Sequence, residues 1–137
     1  NGALLNLKDK FGKSALVYCV NKDRIKATEF LLVHQPEVDS LDKFEWTPLM
    51  WAVKKDYIEI IKLLVEHKAN INHKDDDGTP LIQYAVENES VDIVKFLIEK
   101  GVDINVTDQY GLSPLVYALK TKNKAMVDLI KSAGGEY

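Results

Sequence analysis

The amino-acid sequence predicts an all-α repeat solenoid, with about four stacked helix–turn–helix units joined by β-turn or hairpin-like loops. Three observations lead there. Residue types recur in columns 33 positions apart. Each period holds two short stretches with apolar residues at helical spacing. Helices that short are marginal alone in water because nucleation is costly, so pairs must stack on neighbouring pairs to bury a continuous apolar spine.

The columns run in register. Asp9, Asp42, Asp75 and Asp108 stand 33 apart, and three residues on come Gly12, Glu45, Gly78 and Gly111. An aromatic column follows, Tyr18, Trp51, Tyr84 and Tyr117, then a small-residue column, Cys19, Ala52, Ala85 and Ala118, then Val20, Val53, Val86 and Leu119. The aromatic column lies between apolar and small columns, which reads as core or inter-repeat packing rather than a ligand-stacking ladder.

Within each unit the first helix opens at a capped turn: Ser14-Ala15, Thr47-Pro48, Thr79-Pro80 and Ser113-Pro114. A hydroxyl at the N-cap accepts an orphan backbone N–H, and proline suits the first helical position. In the third unit the Thr-Pro pair sits one residue early, directly after Gly78, which predicts a loop shortened by one residue and a helix that starts one residue early. The second helix carries Ile58, Ile60, Ile61, Leu63, Leu64 and Val65 in unit two, matched by Val91, Ile93, Val94, Phe96, Leu97 and Ile98 in unit three. Connectors such as 68–72 and 101–105 end it with Gly or polar residues and lead to the next Asp-x-x-Gly turn.

The whole of 1–137 is expected to be one repeat domain, with units at 9–41, 42–74, 75–107 and 108–137. Residues 1–8 align with a connector and read as the tail of a preceding unit. Lys124 and Lys131 replace apolar residues of the earlier second helices, so the last unit reads as a C-terminal cap with a polar outer face.

The pattern resembles the ankyrin repeat, whose signature is a Thr-Pro-Leu-His-x-Ala stretch in a repeating unit of this length. Residues 47–52, Thr-Pro-Leu-Met-Trp-Ala, match it except for the histidine, and Asp42, the helix at 59–64 and the connector at 69–72 complete the match. The signature histidine is Val17, Met50, Gln83 and Val116 here, and the usual inter-helix glycine is Asp23, Asp56 and Glu89. The resemblance implies a protein–protein interaction scaffold that binds through a concave groove of turn tips and inner helices. A second reading is a regulatory or targeting segment of a larger multidomain enzyme or channel.

Carried over column by column, the partner-binding candidates are Lys10, Phe11, Lys13 and Lys22 in the first unit, and Lys43, Phe44, Trp46, Lys54 and Lys55 in the second. They continue with Asp76, Asp77, Glu87 and Asn88 in the third unit and Gln109, Tyr110 and Leu112 in the fourth. Trp46 is expected to be the surface anchor, since tryptophan and tyrosine dominate binding hot spots. Phe11, Phe44 and Tyr110 read either as contact residues or as rings that lie on the neighbouring tip. Charge is uneven: residues 1–41, 42–74 and 108–137 carry +1 each and residues 75–107 carry −6, so the lysine tips precede acidic ones.

Other chemistry finds no support in the residues. A net charge of −3 does not suggest nucleic acid as partner, and no apolar run approaches membrane-spanning length. Only Cys19 is present, so an internal disulfide is impossible and an intracellular setting, cytoplasmic or nuclear, is expected. Cys19 fills a small-residue column as a core residue. His34 and His67 share a column a full repeat apart, too far for joint zinc ligation. Asp75, Asp76 and Asp77 are consecutive, whereas a calcium loop needs alternating ligands and a distant glutamate. No phosphate loop, nucleophile elbow or paired acid–base set exists, so no catalytic residue, metal or cofactor is expected. The partner is expected to be another protein, and the chain alone a monomer. In some proteins of the family the connector asparagine is hydroxylated; Asn72 and Asn105 occupy that place, but their spacing is built into the repeat.

Overall fold

A computed structural model describes residues 2–137; Asn1, the first residue of the expected leading tail, lies outside them. Among the described residues there are nine helical segments: α1 (Gly2–Leu5), α2 (Ala15–Asn21), α3 (Ile25–Val33), α4 (Pro48–Lys54), α5 (Ile58–Glu66), α6 (Leu81–Glu87), α7 (Val91–Glu99), α8 (Pro114–Thr121) and α9 (Lys124–Ser132). After the single turn of α1, first helices begin at 15, 48, 81 and 114 and second helices at 25, 58, 91 and 124, so the period is 33 throughout. The fold is the expected all-α repeat of helix–turn–helix units.

The chain divides into two compact units, residues 1–70 and 71–137, each of two helix pairs. In the first, α2 packs on α3 and α4 on α5, and the pairs stack through α2 on α4 and α3 on α5. Its buried spine is Leu16, Val17, Val20 and Leu32 against Leu49, Met50, Val53, Ile60, Ile61 and Leu64. In the second, α6 pairs with α7 and α8 with α9, and the pairs meet through α6 on α8 and α7 on α9. Here Leu81, Ile82, Val86, Ile93, Val94 and Leu97 are buried with Leu115, Met126 and Ile130. Ala52, Ala85 and Ala118 are fully buried, whereas Cys19 in the same column, expected in the core, is half-buried.

Backbone atoms also tie neighbouring repeats together inside each unit. Asn6 accepts the N–H of Glu37 (2.8 Å) and Asp39 that of Asn70 (3.0 Å). Asn72 accepts from Asp103 and Asn105 from Glu136, both at 2.8 Å. The connector column, Asn6, Asp39, Asn72 and Asn105, therefore latches one connector to the next inside each unit.

Caps follow the sequence in two of four first helices. Ser14 accepts from the N–H of Val17 and Thr47 from that of Met50. Ser113 instead donates its hydroxyl to the carbonyl of Glu136 at 2.5 Å. The third unit corrects the sequence reading: α6 begins at Leu81, in frame, and neither loop nor helix is shifted. The turn from Asp75 to Thr79 has the same hydrogen bonds as the other turns and fixes the start. The displaced Thr-Pro pair therefore puts Pro80 at the N-cap, where it makes no side-chain cap bond.

Helix ends use left-handed backbone, also in columns. Asp23, Asp56, Glu89 and Lys122 have φ of 54°, 66°, 57° and 62°; Gln35 and Lys68 have 54° and 71°, with Gly101 and Gly134 continuing their column. The bonds at Lys68, N–H to the carbonyl of Val65 and Ala69 N–H to that of Leu64, close the helix in the manner that usually selects glycine. A side chain there costs about 1–2 kcal/mol, partly offset because glycine loses more freedom on folding. Lys68→Gly is therefore expected to raise stability by about 0.5–1 kcal/mol, read as a higher urea midpoint at unchanged m-value.

Candidate functional site

Each turn tip is built around its aspartate. One carboxylate oxygen, Oδ1, accepts two backbone N–H groups of the same turn. Asp9 takes those of Phe11 and Lys13, both at 2.9 Å, and Asp42 those of Phe44 (2.9 Å) and Trp46 (3.1 Å). Asp75 takes those of Asp77 and Thr79 at 3.0 Å, and Asp108 those of Tyr110 (2.9 Å) and Leu112 (3.0 Å). The other oxygen accepts from a ring nine residues on: the hydroxyl of Tyr18, the indole Nε1 of Trp51 at 2.9 Å, the hydroxyl of Tyr84 at 2.5 Å and that of Tyr117. A charged acceptor shared among three donors holds the tip rigidly to the first helix.

This corrects the core reading of the aromatic column, while Lys13 over Trp51 is a contact between repeats. Tyr18 is exposed, and Trp51, Tyr84 and Tyr117 are half-buried, so they are tethers at the base of the tips rather than core. The sequence carried the signal: every member of that column is Tyr or Trp, each with a hydrogen to donate, and none is Phe.

The tethers shift titration in both partners. The Tyr18 hydroxyl and the N–H groups of Lys13 and Phe11 hold Asp9 below the usual carboxylate range. Partial burial opposes ionisation of Asp108, but donation from Tyr117, Leu112 and Tyr110 outweighs it and lowers its pKa. Conversely, the bond to Asp108, then burial, pushes Tyr117 up to about 12; the Asp9 bond raises Tyr18, and burial raises Tyr84. The Asp108–Tyr117 contribution is therefore complete above about pH 4 and below about pH 10, the unfolded values. It is lost as pH falls through the lowered carboxyl value, or rises toward the raised tyrosine value. In a spectroscopic alkaline titration Tyr18, Tyr84 and Tyr117 are expected to ionise late, and Tyr117→Phe to remove one late step.

The tips present their expected residues unevenly. In residues 1–70, Lys10, Phe11, Lys43 and Phe44 come together at the surface, with Phe11 and Phe44 42% and 48% exposed. The Lys43 ammonium lies 5.4 Å from the Phe11 ring and 5.0 Å from that of Phe44, and Lys10 lies 5.1 Å over Phe11. Lys13 reaches the other way, 4.8 Å over Trp51 and 5.9 Å over Tyr18. Trp46, expected at the surface, is half-buried, its ring centroid 4.8 Å from that of Trp51. Lys22 and Lys55 cap the C-terminal ends of α2 and α4, next to Lys54, and Lys55 Nζ donates to the carbonyl of Asn21 at 3.3 Å.

In residues 71–137, Asp76, Asp77, Gln109 and Tyr110 are exposed at tips, Tyr110 at 73%. Leu112 is half-buried, its backbone engaged by Asp108. Glu87 accepts from Gln83 Nε2 at 2.7 Å, and Asn88 caps α6. Carboxylate oxygens of Asp75, Asp76 and Asp77 lie within 4.8 Å of one another, but both oxygens of Asp75 already serve the turn and Tyr84. Burial pushes the Cys19 thiol up despite nearby Arg24, the opposite of an activated nucleophile.

No helix of the described residues is long and apolar enough to cross a membrane. A search of curated proteins finds no match. The family model for ankyrin repeats, three copies long, matches residues 1–75 and again 72–137. Ankyrin repeats generally serve as protein–protein interaction modules and are typically non-enzymatic. With the 33-residue period, the paired helices and the family model in agreement over its length, the chain belongs to the ankyrin-repeat family.

Proposed function

We propose that the chain is a protein-binding scaffold that engages its partner through the exposed turn tips and the adjoining ends of the first helices, and that it performs no catalysis itself. The carrying observation is that aromatic rings stand exposed on tips made rigid from below: Phe11, Phe44 and Tyr110 on turns organised by Asp9, Asp42 and Asp108. A rigid aromatic group loses little entropy on being covered, so most of its desolvation appears as affinity. A chain with a single, unactivated cysteine fits an intracellular setting.

A photo-crosslinking side chain placed at Phe44 or Tyr110 in cells, against one at Lys62 or Lys95 on the exposed second helices, tests this. Discrete protein adducts are expected from the tip positions. Adducts formed mainly from the second helices would overturn it.

A further inference from the structure

We infer that the tip surface of residues 1–70 docks an acidic protein segment whose carboxylates are interspersed with apolar side chains; this rests on the tip-binding reading above. The lysines there are held in place. Lys10, Lys13 and Lys43 each lie 4.8–5.1 Å from the centroid of a ring, and among the described residues these three ammonium groups make no ion pair. An exposed cation–π contact contributes only about 0.5–1 kcal/mol. It leaves the charge intact and the outward N–H donors open, while part of the lysine rotamer freedom is already lost.

The neighbouring carboxylates offset part of this field, and Asp9 acts on Lys13 through its charge, but among the described residues they form no ion pair that occupies Lys10, Lys13 or Lys43. Asp9 and Asp42 spend both oxygens on their own turns and on Tyr18 and Trp51. Counted with Asp9 and Asp42, the acids Glu45 at the second tip and Asp23 and Asp56 beyond α2 and α4 stand against Lys10, Lys13, Lys22, Lys43, Lys54 and Lys55, so the surface keeps a small basic excess. Between the lysines, the Phe11 and Phe44 rings offer apolar area. Alternating cation and ring fits a chain that alternates carboxylate and apolar side chain. A polyphosphate fits less well: the patch holds no arginine for bidentate phosphate contact, and the whole chain is acidic, at −3.

The test is an amide NMR titration of the full chain with a synthetic peptide alternating Glu and Asp with Leu and Phe. The comparison probes are its Gln/Asn counterpart, duplex DNA and phosphatidylserine vesicles. Shifts are expected at residues 10–13 and 43–46 and at the Trp51 indole, weakening with salt. Lys10→Glu with Lys43→Glu is expected to weaken binding at least tenfold, about 1.4 kcal/mol. The double Gln variant should lie between, both keeping the wild-type thermal midpoint. Absence of shifts, or tighter binding of DNA or vesicles, would overturn the inference. If the Gln/Asn peptide binds the same tips equally well, the acidic preference fails while tip binding stands. Shifts confined to α3 and α5 would sink both.

Discussion

Replacing Asp75 by alanine is expected to lower stability by about 2–4 kcal/mol, the cost of orphaning donors that shared one charged acceptor. Three donors lose their partner together: the N–H groups of Asp77 and Thr79 and the hydroxyl of Tyr84. The aspartate is 5% exposed, so water replaces it poorly. The thermal midpoint should fall by roughly 10 °C. Asp75→Asn is the discriminating control. An amide oxygen still accepts the two turn N–H groups, and the amide nitrogen can donate to the Tyr84 oxygen, so about half of the loss or less is expected. Equal losses for the two variants would mean that the carboxylate charge, rather than the acceptor geometry, holds the turn.

The same aspartates show what sequence conveys and what it conceals. The period, the helix pairs and the turn positions were legible because a repeated unit writes each structural demand four times, and columns average out local noise. Two readings fall short because residue type alone does not carry its bond. Thr79-Pro80 reads as a helix start, yet the Asp75 turn fixes the frame and leaves Pro80 at the N-cap with no side-chain cap bond. Bulk alone reads the aromatic column as packing, whereas its common property is a donor aimed at the aspartate nine residues earlier. Trp46 is expected at the surface from the hot-spot preference of tryptophan, and its column, with Lys13, Thr79 and Leu112, is half-buried throughout. That column and the column of Phe11 and Phe44 both bond the aspartate oxygen through their backbone N–H, yet Phe11 and Phe44 are exposed where Lys13 and Trp46 are half-buried. Whether the tips meet a partner lies beyond any such pattern, since a fold hosts many functions.

Trp46→Ala is expected to lower stability by about 2 kcal/mol, less than the 3–5 kcal/mol of a fully buried tryptophan. The half-buried ring loses part of its covered area together with the tilted contact on Trp51, an aromatic pairing of about 0.5–1.5 kcal/mol. Trp51 keeps its indole bond to Asp42, so the tip loosens without collapsing. Intrinsic fluorescence then reports on Trp51 alone, because the chain has two tryptophans, and its emission should shift to the red as the covering ring is removed. Phe44→Ala should behave in the opposite way. Its ring is 48% exposed, so the midpoint should barely move, while affinity for a tip-bound partner falls about tenfold or more. Measuring midpoint and dissociation constant for both variants separates support from contact. A Trp46→Ala protein with an unchanged midpoint and lost binding would make Trp46, rather than Phe44, the anchor, and the half-burial of its column would then be incidental.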